Sequence, residues 1–148
     1  MTRTEIRIAL PSKGILAENT LDLLSRAGLG VYKPNPRQYM ATIPALPGLT
    51  VLFQRAGDIA VSVHDGTVDF GITGWDMVAE KSTNGEVLPL LPELGYGFCS
   101  LNVIVPDDWE QTRCMADLPI MQMELGRPLR VATKFPKLTQ AFFKQHGL

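Results

Sequence analysis

The chain has 148 residues, room for one domain or two small lobes. Apolar residues make up 45% and charged residues 20%, and a chain this long buries roughly 68–70% of its unfolded surface, so it needs no disulfide or metal staple. Lys and Arg number 14 against 15 Asp and Glu, a net charge of −1, which excludes a strongly basic nucleic-acid binder but not a local basic pocket for a phosphorylated small molecule.

No apolar run approaches the ~20 residues of a membrane span. The start, Met1 to Ile6, has no signal-peptide core and runs straight into a strand. Cys99 and Cys114 form no CxxC pair, so neither a disulfide framework nor a structural zinc site is expected, and a cytoplasmic location is the simplest reading.

In chain order, Glu5–Leu10 alternates with period two and reads as a strand, punctuated by Pro11 and Ser12. A helix follows over about Lys13–Ala27, with Leu16, Thr20, Leu23, Leu24 and Ala27 on one face and Gly28 closing it. Two extended stretches, Gln38–Leu46 and Leu49–Gln54, flank Pro47-Gly48. That dipeptide is a turn signal with a mechanism: proline fixes φ and glycine tolerates a positive one, so an antiparallel hairpin is expected. Gly57–His64 reads as a short helix with Asp58 near its start, and Val68–Ile72 as a strand. Thr73 and Asp76 have capping-box spacing before a helix ending near Lys81.

Further strands are expected at Glu86–Leu91, Phe98–Val105 and Leu129–Thr133, and a last helix at Pro136–His146. Residues 107–123 carry only a weak helical pattern broken by Pro119. Strand–helix alternation argues for an α/β chain with a mostly parallel sheet. The Gly95-Tyr96-Gly97 break marks the expected boundary between a first lobe, 1–94, and a second, 95–148.

Open α/β sheets bind ligands beyond the carboxyl ends of their strands. Leu10 to Gly14 is one such loop, where Lys13, free N–H groups and a helix dipole suit an anion. An ordinary βα loop with a solvated lysine fits it too. Phe70 to Asp76 is a second: Gly71 and Gly74 permit close backbone approach, and Thr73 and Gly74 offer N–H groups. Here Thr73 could be only a cap and Gly71 only a packing residue. The third, Thr133-Lys134-Phe135-Pro136, reads first as a helix start with proline in its opening turn. Arg37 and Arg55 bracket the hairpin and could fork onto phosphates. Asp58, Asp69 and Asp76 could hold Mg²⁺ through phosphate oxygens or contact a ribose hydroxyl, although caps and turns explain Asp58 and Asp76 equally well. His64 and His146 have no nucleophile placed beside them, so no triad is expected.

Taken in order, Ile8-Ala9-Leu10-Pro11-Ser12-Lys13-Gly14, Arg55-Ala56-Gly57-Asp58-Ile59, Val68 to Asp76 with its Gly-Ile-Thr-Gly core, and Leu129 to Pro136 resemble the catalytic subunit of ATP phosphoribosyltransferase. That family opens histidine biosynthesis by joining ATP to phosphoribosyl pyrophosphate with Mg²⁺. The resemblance implies a two-lobed fold like the type II periplasmic binding proteins, with the site in the cleft. It implies charge stabilisation by Arg37 and Arg55, and substrate binding by Lys13, Gly14, Asp69, Thr73, Gly74, Asp76 and Lys134, with no metal held by the protein alone. It also implies self-association and a histidyl-tRNA-synthetase-like regulatory partner, with no nucleic acid or membrane. Two departures stand out: Ile15 occupies the position after Lys-Gly where the family has Arg, and the Gly-Ser-Val-Glu-type segment that binds phosphoribosyl pyrophosphate does not occur before Leu148. The expectation is therefore an incomplete second lobe and an isolated chain without turnover. The alternative is a non-catalytic, small-anion-binding sensor lobe of the same fold. A generic amino-acid-binding protein is a weaker reading.

Overall fold

The structure is a computed structural model that describes residues 4–81 and 85–148. Strand β1, Ile6–Pro11, lies inside a four-stranded sheet. Its neighbours are β3, Leu49–Gln54, on one side and the two-residue β4, Phe70–Gly71, on the other, both parallel to it. The edge strand β2, Met40–Thr42, runs antiparallel to β3, giving the order β2-β3-β1-β4. The expected antiparallel pairing is present, but its first strand shortens from 38–46 to Met40–Thr42 and the connection takes in all of 43–48, with Gly48 at φ 86° at its end. The sheet is thus mixed and mostly parallel, as an α/β reading requires.

Helix α1, Ile15–Arg26, packs on one face of this sheet and α2, Ala56–His64, on the other. Alternation along the strands sorts the core into two layers. Ile8, Leu10, Val51 and Phe53 join Leu24 of α1, with Ala41 and Ile43 completing that layer. Ala9 meets Ile59 of α2 and Val68 on the opposite side. Gly71 is there for packing: a Cβ at this position would collide with the Ile59 side chain and crowd the Ala9 carbonyl. Helix α3, Trp75–Lys81, follows β4.

The chain divides into two compact units, Met1–Phe98 and Cys99–Leu148. The second unit contains a 3-10 turn at Met115–Asp117, then α4, Leu118–Leu125, and α5, Pro136–Gln145. The last helix matches expectation. The strands expected at 86–91, 98–105 and 129–133 do not form, and 68–72 shrinks to two paired residues. A strand needs a neighbour for its N–H and C=O groups, and among the described residues these β-rich stretches have none. Phe98 and Ile104 are each 88% exposed as a result.

Candidate functional site at the carboxyl edge of the sheet

The strand register decides which predicted residues meet. Pro11 at the end of β1 lies opposite Gln54 at the end of β3, and the Ser12 N–H donates to the Gln54 carbonyl at 2.8 Å. Lys13 and Gly14 therefore leave the sheet beside Arg55. The Ile72 N–H donates to Ala9 at 3.0 Å, which brings Thr73 and Gly74 out at the same edge. Because β2 is antiparallel, its beginning lies there too: Phe53 N–H donates to the Tyr39 carbonyl at 2.8 Å, two residues after Arg37. The Arg37 N–H is fixed by the Asn35 side chain at 2.9 Å.

Two helices start at this edge without a side-chain cap. Gly14 is the N-cap residue of α1, at φ 78° and ψ −178°, a conformation open essentially to glycine alone. Its carbonyl accepts from Ala17 and Glu18. Arg55 holds the corresponding place for α2. With no side chain satisfying their first N–H groups, both helix starts present positive dipole ends and backbone donors.

The Thr73–Asp76 capping box is one residue out of register. The first bonds of α3 run from Met77 and Val78 to the Gly74 carbonyl, so Gly74 occupies the cap position. Thr73 instead donates its hydroxyl to the Ala56 carbonyl at 2.7 Å, stapling this loop to the start of α2. Asp76 stands in the first turn of α3 and Asp58 in that of α2.

Lys13, Arg37 and Arg55 form no ion pair among the described residues, whereas Arg7 lies 3.6 Å from Glu5 and Arg26 3.7 Å from Asp22. Three cations thus share one edge without carboxylate partners among the described residues. Asp69 is not brought to it. Phe70 lies opposite Ile8, so Asp69 falls near the amino end of β1, where its carboxylate accepts the Arg7 N–H at 2.7 Å. Lys134 belongs to the second unit, its ammonium 4.9 Å from the Phe135 ring centroid. Ile15, in the first turn of α1, is 68% exposed and contributes little to the core.

Sequence reasoning passed over Lys33, whose ammonium sits 4.2 Å from the Phe53 ring centroid. Nothing in a proline-containing loop points to such a contact, which depends on strand register. It also passed over an apolar cavity of about 940 Å³ in the second unit, lined by Leu101, Val103, Ile104, Leu118, Val131 and Phe142 among others. The strand pattern had assigned several of those side chains to a sheet.

Fold and edge together define an α/β protein with a cationic, glycine-opened edge at the carboxyl ends of its strands. Residues 55–148 match the family model described as HisG: ATP phosphoribosyltransferase, and the chain belongs to that family. It is 42% identical to the Arabidopsis thaliana protein named ATP phosphoribosyltransferase 2, chloroplastic, over 99% of this chain and 36% of that one. Two proteins named ATP phosphoribosyltransferase, from Mesorhizobium japonicum and Brucella anthropi, are 39% and 41% identical, each over 97% of this chain and 65% of its own length. The chain therefore spans between about a third and two-thirds of these relatives. A chain of the Thermotoga maritima ATP phosphoribosyl transferase (HisG:HisZ) complex aligns over 53% of this chain and 36% of its own at 23% identity, with a TM-score of 0.43, too slight a likeness to build on. No helix among the described residues is long and apolar enough to cross a membrane.

Proposed function

We propose that this chain forms part of an enzyme that transfers phosphoribosyl from phosphoribosyl pyrophosphate to ATP, giving phosphoribosyl-ATP and pyrophosphate. The observation that carries the reading is the convergence of Lys13, Arg37, Arg55 and the Thr73-Gly74 turn on one sheet edge in a member of this family. When the bond from the ribose C1 to the pyrophosphate oxygen breaks, negative charge grows on the leaving group. Arg37 and Arg55 stabilise that charge, as fixed cations in place before the reaction do best. Lys13, the Gly14 turn and the start of α1 hold phosphate oxygens, and Gly74 and Asp76 complete the substrate contacts with Thr73 as their staple. Lys134 is assigned to substrate binding on the family resemblance alone.

Mg²⁺ enters on the substrate phosphates. The described residues hold no group of three or more His, Cys, Asp or Glu that could cage a metal, and Mg²⁺ commonly uses only one or two carboxylates beside phosphate and water. Asp58 and Asp76 are those available at this edge. The reading extends to a periplasmic-binding-protein-like pair of lobes, a cytoplasmic location, self-association and a histidyl-tRNA-synthetase-like regulatory subunit, all on the family resemblance.

Calorimetry with ATP and with phosphoribosyl pyrophosphate, each with Mg²⁺, tests the reading. ATP should bind, and Arg37→Ala and Arg55→Ala should each weaken substrate binding about tenfold or more, the scale of one lost charged hydrogen bond. Binding of neither ligand would sink the enzyme reading in favour of the sensor lobe.

A further inference from the structure

The cationic edge has a fourth member. Tyr32 and Thr42 exchange backbone hydrogen bonds of 2.8 and 3.1 Å in an antiparallel bridge. Since β2 itself runs antiparallel to β3, the chain through Tyr32 heads for the carboxyl edge of the sheet, and Lys33 is the next residue. Its ammonium rests on the ring of Phe53, the penultimate residue of β3. Phe53 lies opposite Leu10 in β1, and its N–H is tied to Tyr39. Phe53 thus stands in the sheet between β1, which leads to Lys13, and β2, which follows Arg37.

A ring holds a cation differently from a carboxylate. The aromatic quadrupole attracts the ammonium but leaves its net charge intact and its three donors free to turn outward. Among the described residues Lys33 has no carboxylate partner. Its charge is localised on the ring without being cancelled, which favours binding of an anion.

Building on the proposed function, we infer that Lys33 is a further substrate-binding residue, held on Phe53 to contact a phosphate group of the polyanionic substrate. The competing role is packing alone, with the lysine stem covering Phe53 as long charged side chains do. Lys33→Met separates the two, because it keeps an unbranched cover over the ring and removes the charge. Lys33→Arg keeps the charge and can still stack.

The experiment is calorimetric titration of the full chain with inorganic pyrophosphate at low ionic strength. Lys33→Met should bind about tenfold more weakly, the scale of one lost charged contact. Lys33→Arg should stay within about threefold of the unaltered chain. The salt dependence of binding should flatten in Lys33→Met and hold in Lys33→Arg. Unchanged affinity in Lys33→Met overturns the inference while leaving the site reading in place. Equal losses in both variants also overturn it, since charge would then not be the cause. Failure of the unaltered chain to bind pyrophosphate overturns both.

Discussion

Ile59 and Ile104 carry the same side chain in the two units and meet opposite surroundings: the first is 1% exposed and the second 88%. Ile59 sits on a helix whose partner face is a paired sheet. Ile104 sits in a stretch that is no less apolar but pairs with nothing among the described residues. The second unit does bury individual groups, Leu118 and Phe135 among them, but it lacks a strand ladder to gather them into layers. Apolar composition alone makes no core; a core also needs an element that satisfies its own backbone while presenting one face.

Substitution at those two isoleucines is the sharpest way to break this contrast. Ile59→Ala should cost about 2–5 kcal/mol in denaturant unfolding, as large-to-small changes in packed cores do. Ile104→Ala should move stability by no more than about 0.5 kcal/mol. Comparable effects at both sites would mean that the second unit buries this stretch in solution.

Gly71→Ala sharpens the account of the first unit. The added methyl meets Ile59 and the Ala9 carbonyl, so α2 must shift off the sheet at an expected cost of about 1–3 kcal/mol. Pairing it with Ile59→Ala should recover part of that loss. Strictly additive costs would show that the clash with Ile59 is not the mechanism.

The smallest effect concerns acid. Hydrogen bonds from Thr67 hold the Asp65 carboxyl below its ordinary value in the first unit, and backbone N–H groups of Arg113 and Cys114 do the same for Asp117 in the second. A carboxylate depressed in the folded state contributes stability above its unfolded pKa and loses it as pH falls through the folded one. Both units should therefore lose a little stability below about pH 4. NMR titration of the two side-chain carboxyl carbons checks this, and a midpoint at or above the ordinary aspartate value for either would contradict its hydrogen bonds.

Much of the first unit was legible because its signals are local. The helical face through Thr20 and Leu24, the Pro47-Gly48 turn and the α2 periodicity each lie within a short window, and each appears where expected. The Thr73 cap failed by one residue because the carbonyl that receives the first helical bonds belongs to Gly74. Sequence spacing cannot show that Thr73 is already engaged with Ala56 across 17 positions. Asp69 illustrates the same difficulty: only the register of β4 against β1 puts it at the far end of the sheet from Lys13. The strands expected at 98–105 and 129–133 were read from residue type, but strand formation is settled by partners distant in the chain.

Thr20 is fully buried on α1, and its hydroxyl meets the Tyr96 hydroxyl at 2.8 Å. A methyl added at Gly97 would press on Leu16, one turn earlier on the same helix. The chain leaving the first unit is therefore moored to the middle of α1 rather than trailing from the sheet's rim. Mechanically, a pull on residue 99 enters the unit through this mooring, and α1 is the helix that opens at Lys13 and Gly14. The helix whose first turn opens at the carboxyl edge of the sheet is also the beam that carries the load of the departing chain.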